Sequence, residues 1–211
     1  MTSALAQRAG VRRIYGLTGG IASGKTYVTD QLALQGAVIV DTDLLAREVL
    51  APGSIGLQRL IAEMGADFLQ ASGELDRRKL RSAVFAAPAL RQRLEAITHP
   101  RILALARMRA LAANSECYVL VVIPLLKDRR RYDFIEDIVA LDCTRQTQIS
   151  RLTQRDGISE AFARSMLDAQ ISRSDRLKIA DHVLVNDDFS GQDRRLNLTH
   201  ALALLHQRLV L

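Results

Sequence analysis

The stretch "GLTGGIASGKT", residues 16–26, decides how the rest of the chain is read. Gly19, four further residues, then Gly24, Lys25 and Thr26 satisfy G-x-x-x-x-G-K-[ST], the Walker A pattern. The pattern has a mechanism. Glycines let the backbone curl so that successive N–H groups point at one anion, which assigns Gly19, Gly20, Ile21, Ala22, Ser23 and Gly24 to the phosphates. Lys25 adds positive charge at the β- and γ-oxygens, and the Thr26 hydroxyl is of the kind that ligates Mg²⁺. A helix starting here presents the positive end of its dipole. With Gly at about 7% of residues, the four fixed positions arise by chance in on the order of 1% of chains this long. An apolar strand pattern before the loop and a helical pattern after it sharpen the signal. The loop reads as the holder of a nucleoside triphosphate rather than a plain glycine-rich turn.

Working outward, "RRIYGLT" is a strand entering the loop, followed by a helix from about Lys25 to Leu34. "GAVIVD" (36–41), "YVLVVIP" (118–124), "DIVALD" (137–142) and "HVLVN" (182–186) are short apolar runs typical of parallel strands. Strands alternating with helical segments predict an α/β P-loop fold with a five-stranded parallel sheet flanked by helices. From Leu44 to Ala113 no strand pattern occurs. "IGLQRLIAEM", "LRSAVF", "LRQRLEAI" and "RILALARMRALAA" have helical spacing, punctuated by Pro52-Gly53, Gly65, Ser72-Gly73, Pro88 and Pro100. A second helical stretch runs from Thr144 to Ala180 and is rich in arginine. The C-terminal "RRLNLTHALALLHQRLVL" is amphipathic and is expected to pack on the sheet.

The 211 residues suffice for one substantial core with an inserted subdomain. The longest apolar run, Tyr118 to Leu126, is far short of the roughly 20 residues that span a bilayer. The N-terminal "MTSALAQRAGVRR" lacks the apolar core of a secretory signal. Cys117 and Cys143 each flank a buried-strand pattern and read as reduced core thiols of a cytoplasmic protein. The formal charge of +6 rests on arginine, the lysines being Lys25, Lys79, Lys127 and Lys178. Those arginines are scattered and not interleaved with aromatics, which argues against a nucleic-acid platform and for a phosphate-rich small substrate. "DRRRYD" (128–133) reads as a solvated loop. The sequence sets no oligomeric state.

A phosphate loop alone does not choose among kinase, GTPase and motor. No N-K-x-D stands here to read guanine, and "VLVVIP" ends in proline where a motor carries an acidic residue. The acidic pair at a strand end is "DTD", Asp41 and Asp43. In a parallel sheet, strand C-termini open onto one crevice, so one carboxylate could accept a substrate proton and the other order Mg²⁺. The alternative is a turn with a helix N-cap.

At these residues the chain resembles the dephospho-CoA kinase family, from about Arg13 to Asn186. Leu17 to Thr26 match "LTGGIGSGKS", and Asp41-Thr42-Asp43 with Ala46-Arg47 match "DAD…AR". Pro52-Gly53, then Gly73, Leu75, Arg77 and Leu80, match "PG" and "G-x-L-x-R-x-x-L". His99-Pro100 matches "HP", and Ile123 to Leu126 match "VPLL". Gln148, Arg151, Arg155 and Asp156 match "Q-x-x-R-x-x-x-R-D", with Gln170, Ala180-Asp181 and Asn186 at later positions. The resemblance implies ATP-dependent phosphorylation of the ribose 3′-hydroxyl of dephospho-CoA, the last step of coenzyme A synthesis. ATP and dephospho-CoA are then the small-molecule partners, with Mg²⁺ as cofactor.

It also implies three parts. These are a nucleotide-binding core (11–43, 114–143 and 181–211), a helical acceptor domain (44–113) and a lid (144–180). By resemblance Asp43 is the base for the 3′-hydroxyl, and Asp41, also on the acceptor side, supports the metal or the active-site geometry. Arg151 and Arg155, four apart on one helix, neutralise the transferring phosphoryl group. Arg47 and Arg77 meet the acceptor's pyrophosphate or form ion pairs, His99 packs or touches the acceptor, and Asn186 belongs to the adenine end or caps a strand. Departures from the family pattern are Ala22 for glycine, Thr26 for serine, Thr42 for alanine and Asp128 where the family carries Glu. None removes a group the chemistry requires. The rivals are a P-loop kinase with another acceptor, such as a nucleoside or shikimate, and an ATP-binding sensor without transfer.

Overall fold

A computed structural model describes residues 13–114, 117–187 and 193–210. The N-terminal stretch read for a leader lies outside them, as do residues 11–12, 115–116, 188–192 and 211 of the expected core. The five strand patterns are strands: β1 (Ile14–Gly19), β2 (Val38–Asp41), β3 (Val119–Val122), β4 (Ile138–Asp142) and β5 (His182–Val185). The helices are α1 (Lys25–Leu34), α2 (Thr42–Val49), α3 (Ile55–Met64), α4 (Arg77–Ala86), α5 (Pro88–Ala112), α6 (Arg145–Asp156), α7 (Glu160–Asp168), α8 (Arg173–Ile179) and α9 (Asp193–Val210). The chain divides into two compact units, with boundaries at Val40/Asp41 and at Arg109/Ala110.

The first unit holds the sheet, in order β2-β3-β1-β4-β5. β1 pairs in parallel with both β3 and β4, setting Ile14 beside Val119 and Gly16 beside Ile138. β4 continues in parallel to β5. β1 is therefore central and buried along its length, which holds the loop at its C-terminal end on the stiffest part of the sheet. β5 is an outer strand, so only Leu184 of it is fully buried. Tyr15, Leu17, Leu120, Val139 and Leu141 pack with Val28 and Leu32 of α1 and with Leu198, Leu202, Leu205 and Leu209 of α9. The 4-3-4 spacing on α9 is one helix face, and the Tyr15 hydroxyl fastens it by donating to the Leu209 carbonyl at 3.1 Å. The expected thiol burial holds for Cys143; Cys117 is half-buried, with its Sγ toward the Gln35 carbonyl at 3.7 Å.

The second unit contains α2, α3, α4 and most of α5. Val49, Leu50, Leu57, Leu60, Leu75 and Leu80 form its core, with Ile102 and Leu105 of α5 packed against them. Truncating the fully buried Leu60 to alanine would cost about 2–5 kcal/mol. Ser54 starts α3 by accepting from the Leu57 N–H at 3.1 Å, and Asp76 starts α4 by accepting from the Lys79 N–H at 2.9 Å. One expectation fails. Pro100 does not end a helix, because α5 runs through it from Pro88 to Ala112. Proline removes one N–H from the ladder. The carbonyls around that turn take side-chain donors, Thr98 Oγ1 to Leu94 at 2.8 Å and Arg101 Nη1 to Ile97 at 2.6 Å.

Candidate active site

The phosphate loop runs from Gly19, the end of β1, to Lys25, the start of α1. Gly24 is left-handed at φ 94°, where glycine avoids the clash an L side chain meets. Ala22 is left-handed too, at φ 57°, and among the described residues no other non-glycine has positive φ. That conformation costs an alanine roughly 1–2 kcal/mol, so something must hold it. The Lys25 ammonium reaches back over the loop to the carbonyls of Gly19 at 2.8 Å and Gly20 at 2.9 Å. Thr26 stands exposed in the first turn of α1.

The Ser23 N–H closes the turn across Ala22 by donating to the Gly20 carbonyl at 3.2 Å, and further bonds come from far along the chain. Gln148 of α6 donates through Nε2 to the Ile21 carbonyl at 2.7 Å. The Gln170 Oε1 accepts from the N–H of the same residue at 3.0 Å. Arg151 donates through Nη1 to Ala22 at 3.2 Å and Ser23 at 3.4 Å, and through Nη2 to the Asn186 carbonyl at 2.9 Å. Asn186 Nδ2 adds a bond to the Ser23 carbonyl at 2.7 Å. These side chains press so close that a Cβ on Gly20 would run into Gln148 Nε2, and one on Gly24 into Asn186 Nδ2. Apolar packing backs the polar contacts: Ile149, Leu152, Ala163 and Leu167 of α6 and α7 cluster with Ile21, Ala22 and Ile158. Asn186 Oδ1, Ser23 Oγ and Thr18 Oγ1 are buried without a hydrogen-bond partner among the described residues.

The brace is itself anchored. Asp187, just after β5, accepts from the Thr144 N–H at 3.1 Å and from the hydroxyls of Thr144 and Thr147, tying down the N-terminus of α6. Asp142 ends β4 almost fully buried, and Arg173 grips both its oxygens at 2.8 and 2.5 Å. Arg176 is 7% exposed, with Nη1 over Gly20 and Nη2 donating to the Ile171 carbonyl at 3.2 Å. Burial pulls its pKa below the usual arginine value, against the opposing charge of Asp142. Arg155 differs from Arg151. Its exposed guanidinium pairs with Asp156, at 2.7 Å from Nε to Oδ1.

In the helical unit, Asp41 takes the N-cap of α2 and accepts from the Asp43 N–H at 2.8 Å. Asp43 itself is exposed in the first turn, where a carboxylate complements the helix dipole. Arg77, first residue of α4, donates to the Arg47 carbonyl at 3.0 Å, so these two arginines share one surface. Leu75 and Leu80 of the same motif point into the core. His99 is exposed on α5. Asp128 closes on Arg130 through both oxygens, which holds its carboxyl below the usual carboxylate range. The 128–133 segment is only partly the solvated loop expected. Arg129 grips Asp181 at 2.7 and 2.6 Å, and Asp181 accepts from the Ile138 N–H at 2.8 Å, which joins the starts of β4 and β5.

The fold thus brings Gly19 to Thr26, Gln148, Arg151, Gln170, Arg176 and Asn186 into one site. Arg155 does not join them. Gln148, Gln170 and Arg176 carry no role from sequence reasoning. A polar residue within a helical stretch has no local signature of a bond to a loop more than a hundred residues away.

The dephospho-CoA kinase family (CoaE) matches residues 13–191. Dephospho-CoA kinase of Burkholderia pseudomallei is 42% identical over 194 residues, covering 92% of this chain and 93% of that protein. Dephospho-CoA kinase of Xanthomonas campestris pv. campestris is 43% identical over 203 residues, covering 93% and 97%. A solved structure from Thermus thermophilus superposes with a TM-score of 0.74 at 27% identity, covering 95% of this chain and 99% of that one.

Proposed function

The chain belongs to the dephospho-CoA kinase family, and on that premise we propose that it transfers the γ-phosphoryl group of ATP to the ribose 3′-hydroxyl of dephospho-CoA, with Asp43 as the base. The observation that carries the reading is the braced phosphate loop with Lys25 folded over it. The Ala22 and Gly24 N–H groups, Lys25 and the α1 N-terminus hold the triphosphate, so that transfer is governed by positioning and charge stabilisation. Asp43 accepts the 3′-hydroxyl proton as the oxygen attacks phosphorus, and ADP leaves.

The helical segment 44–113 receives the acceptor, with Arg47 and Arg77 meeting its pyrophosphate and His99 on the same segment. Residues 144–180 act as the lid, from which Arg155 adds charge at the transferring group. Arg151 acts through the loop it grips. Asn186, expected at the adenine end, also serves the nucleotide through its bond to the Ser23 carbonyl. Mg²⁺ enters with ATP. The Thr26 hydroxyl of the first unit and the Asp41 carboxylate of the second are each a hard oxygen donor of the kind that would hold it. Bound there, the ion supplies charge neutralisation at the phosphate oxygens.

Among the described residues no helix is long and apolar enough to cross a membrane. With Cys117 and Cys143 as thiols, the cytoplasm is the compartment we propose. ADP release from Mg-ATP tests the acceptor, with dephospho-CoA run beside adenosine, shikimate and no acceptor. Turnover with dephospho-CoA alone is expected; turnover with either of the others would overturn the assignment.

A further inference from the structure

The two glutamines that hold Ile21 do opposite jobs, and chemistry fixes which does which. A backbone N–H only donates and a carbonyl only accepts. Gln170 must therefore present its oxygen to the Ile21 N–H, and Gln148 its nitrogen to the Ile21 carbonyl. Every peptide bond described is trans. In a trans peptide the carbonyl of one residue and the N–H of the next point in opposite directions.

Three consequences follow. Drawing the Ile21 carbonyl toward α6 turns the Ala22 N–H to the other side of the loop. Drawing the Ser23 carbonyl toward Asn186 and Arg151 does the same for the Gly24 N–H. Drawing the Ile21 N–H toward Gln170 turns the Gly20 carbonyl away, to where it accepts from the Lys25 ammonium at 2.9 Å. The freed N–H groups and the ammonium therefore share the face opposite the glutamines. Burying the Gln148 amide, in a residue 8% exposed, is costly without such a bond.

We propose that Gln148 and Gln170 are positioning residues for phosphoryl transfer, setting which face of the phosphate loop its N–H groups present to the nucleotide. This rests on the reading that the loop holds the triphosphate, and it places the control of loop polarity in α6 and the segment after α7.

The test is ATP and ADP titration calorimetry on the full chain without acceptor, with melting temperature and the KM for dephospho-CoA measured alongside. Gln148→Glu swaps a donor for an acceptor facing a carbonyl and is expected to weaken ATP binding about tenfold to a hundredfold. Gln148→Met loses the donor with little change of volume and should weaken it in the same direction. It also serves if the Glu variant does not fold. Gln170→Glu keeps an acceptor for the Ile21 N–H and should bind ATP more tightly than Gln170→Leu, despite the added charge. The KM for dephospho-CoA should stay within about twofold in all four.

Wild-type ATP affinity in the folded Gln148 variants would overturn the proposal, as would Gln170→Leu binding as well as Gln170→Glu. The wild-type titration separates the premises. If the wild type does not bind ATP, the loop reading fails and this inference with it. ATP binding without transfer to dephospho-CoA removes only the acceptor.

Discussion

The phosphate loop and the Asp41–Asp43 turn both carry groups the chemistry needs, yet they are held in opposite ways. The loop is fixed by Gln148, Arg151, Gln170 and Asn186, at sequence separations of 127 to 163 residues. The turn has a local bond of its own, Asp41 accepting from the N–H two residues on. The difference has a physical cause. The loop needs N–H groups turned outward, an arrangement that includes a left-handed Ala22, and its local bond from the Ser23 N–H to the Gly20 carbonyl at 3.2 Å is reinforced by the distant side chains. A carboxylate at a helix start needs only the helix, whose dipole and cap favour acidic residues there. The strained loop adds long-range support to its local bond.

The comparison can be broken most severely at Asp43. Asp43→Asn should lower kcat by roughly 10²–10⁴-fold through loss of the base, with ATP affinity unchanged because the loop and its braces are untouched. Activity within a few-fold of wild type would remove Asp43 from that role.

Asp41→Ala should cost about 0.5–2 kcal/mol in urea unfolding, as loss of an N-cap does. A magnesium titration of the same variant then reads whether Asp41 also serves the metal. Unchanged stability would show that the cap contributes little.

Ala22→Gly should stabilise the chain by about 0.5 kcal/mol, the relieved left-handed strain less the extra unfolded-state entropy of glycine. Destabilisation would mean that the Ala22 methyl packing against α6 and α7 outweighs the strain.

The smallest effect is one of slope. Burial alone would raise the Asp181 pKa, but the Arg129 and Ile138 bonds outweigh it and hold it below the ordinary 3.8. A depressed carboxylate contributes stability that is present above its unfolded pKa and lost as pH falls through its folded value. Asp181→Asn should therefore flatten the loss of stability below about pH 4, measured by unfolding at fixed urea across that range. An unchanged acid slope would contradict it.

Legibility from sequence follows the same division. All five strands were readable, since buried parallel strands are short apolar runs with sharp ends. The helix after the loop was readable because the glycines stop where Lys25 begins. The helical unit is readable from periodicity, but Pro100 reads as a break that α5 does not make. Side-chain donors from Thr98 and Arg101 serve carbonyls beside it, and a continuous helix survives what looked like a break. "DTD" left two local readings open, and Asp41 does take the cap. The braces were beyond reach. Gln148 and Arg151 sit three apart on α6, a spacing that says they share a face but not what that face meets. Arg151 and Arg155 looked equivalent on that spacing. Only the fold separates a guanidinium on three carbonyls from one paired with its neighbour in solvent.

The most direct measurement of the central claim is the position of the phosphate in the product. Dephospho-CoA and Mg-ATP would be turned over by the full chain, and the isolated product examined by phosphorus NMR. A new monophosphate on the ribose 3′-oxygen, formed in step with ADP, is the predicted result. Phosphate at the 2′-oxygen, or ADP formed with no phosphorylated product, would contradict the account.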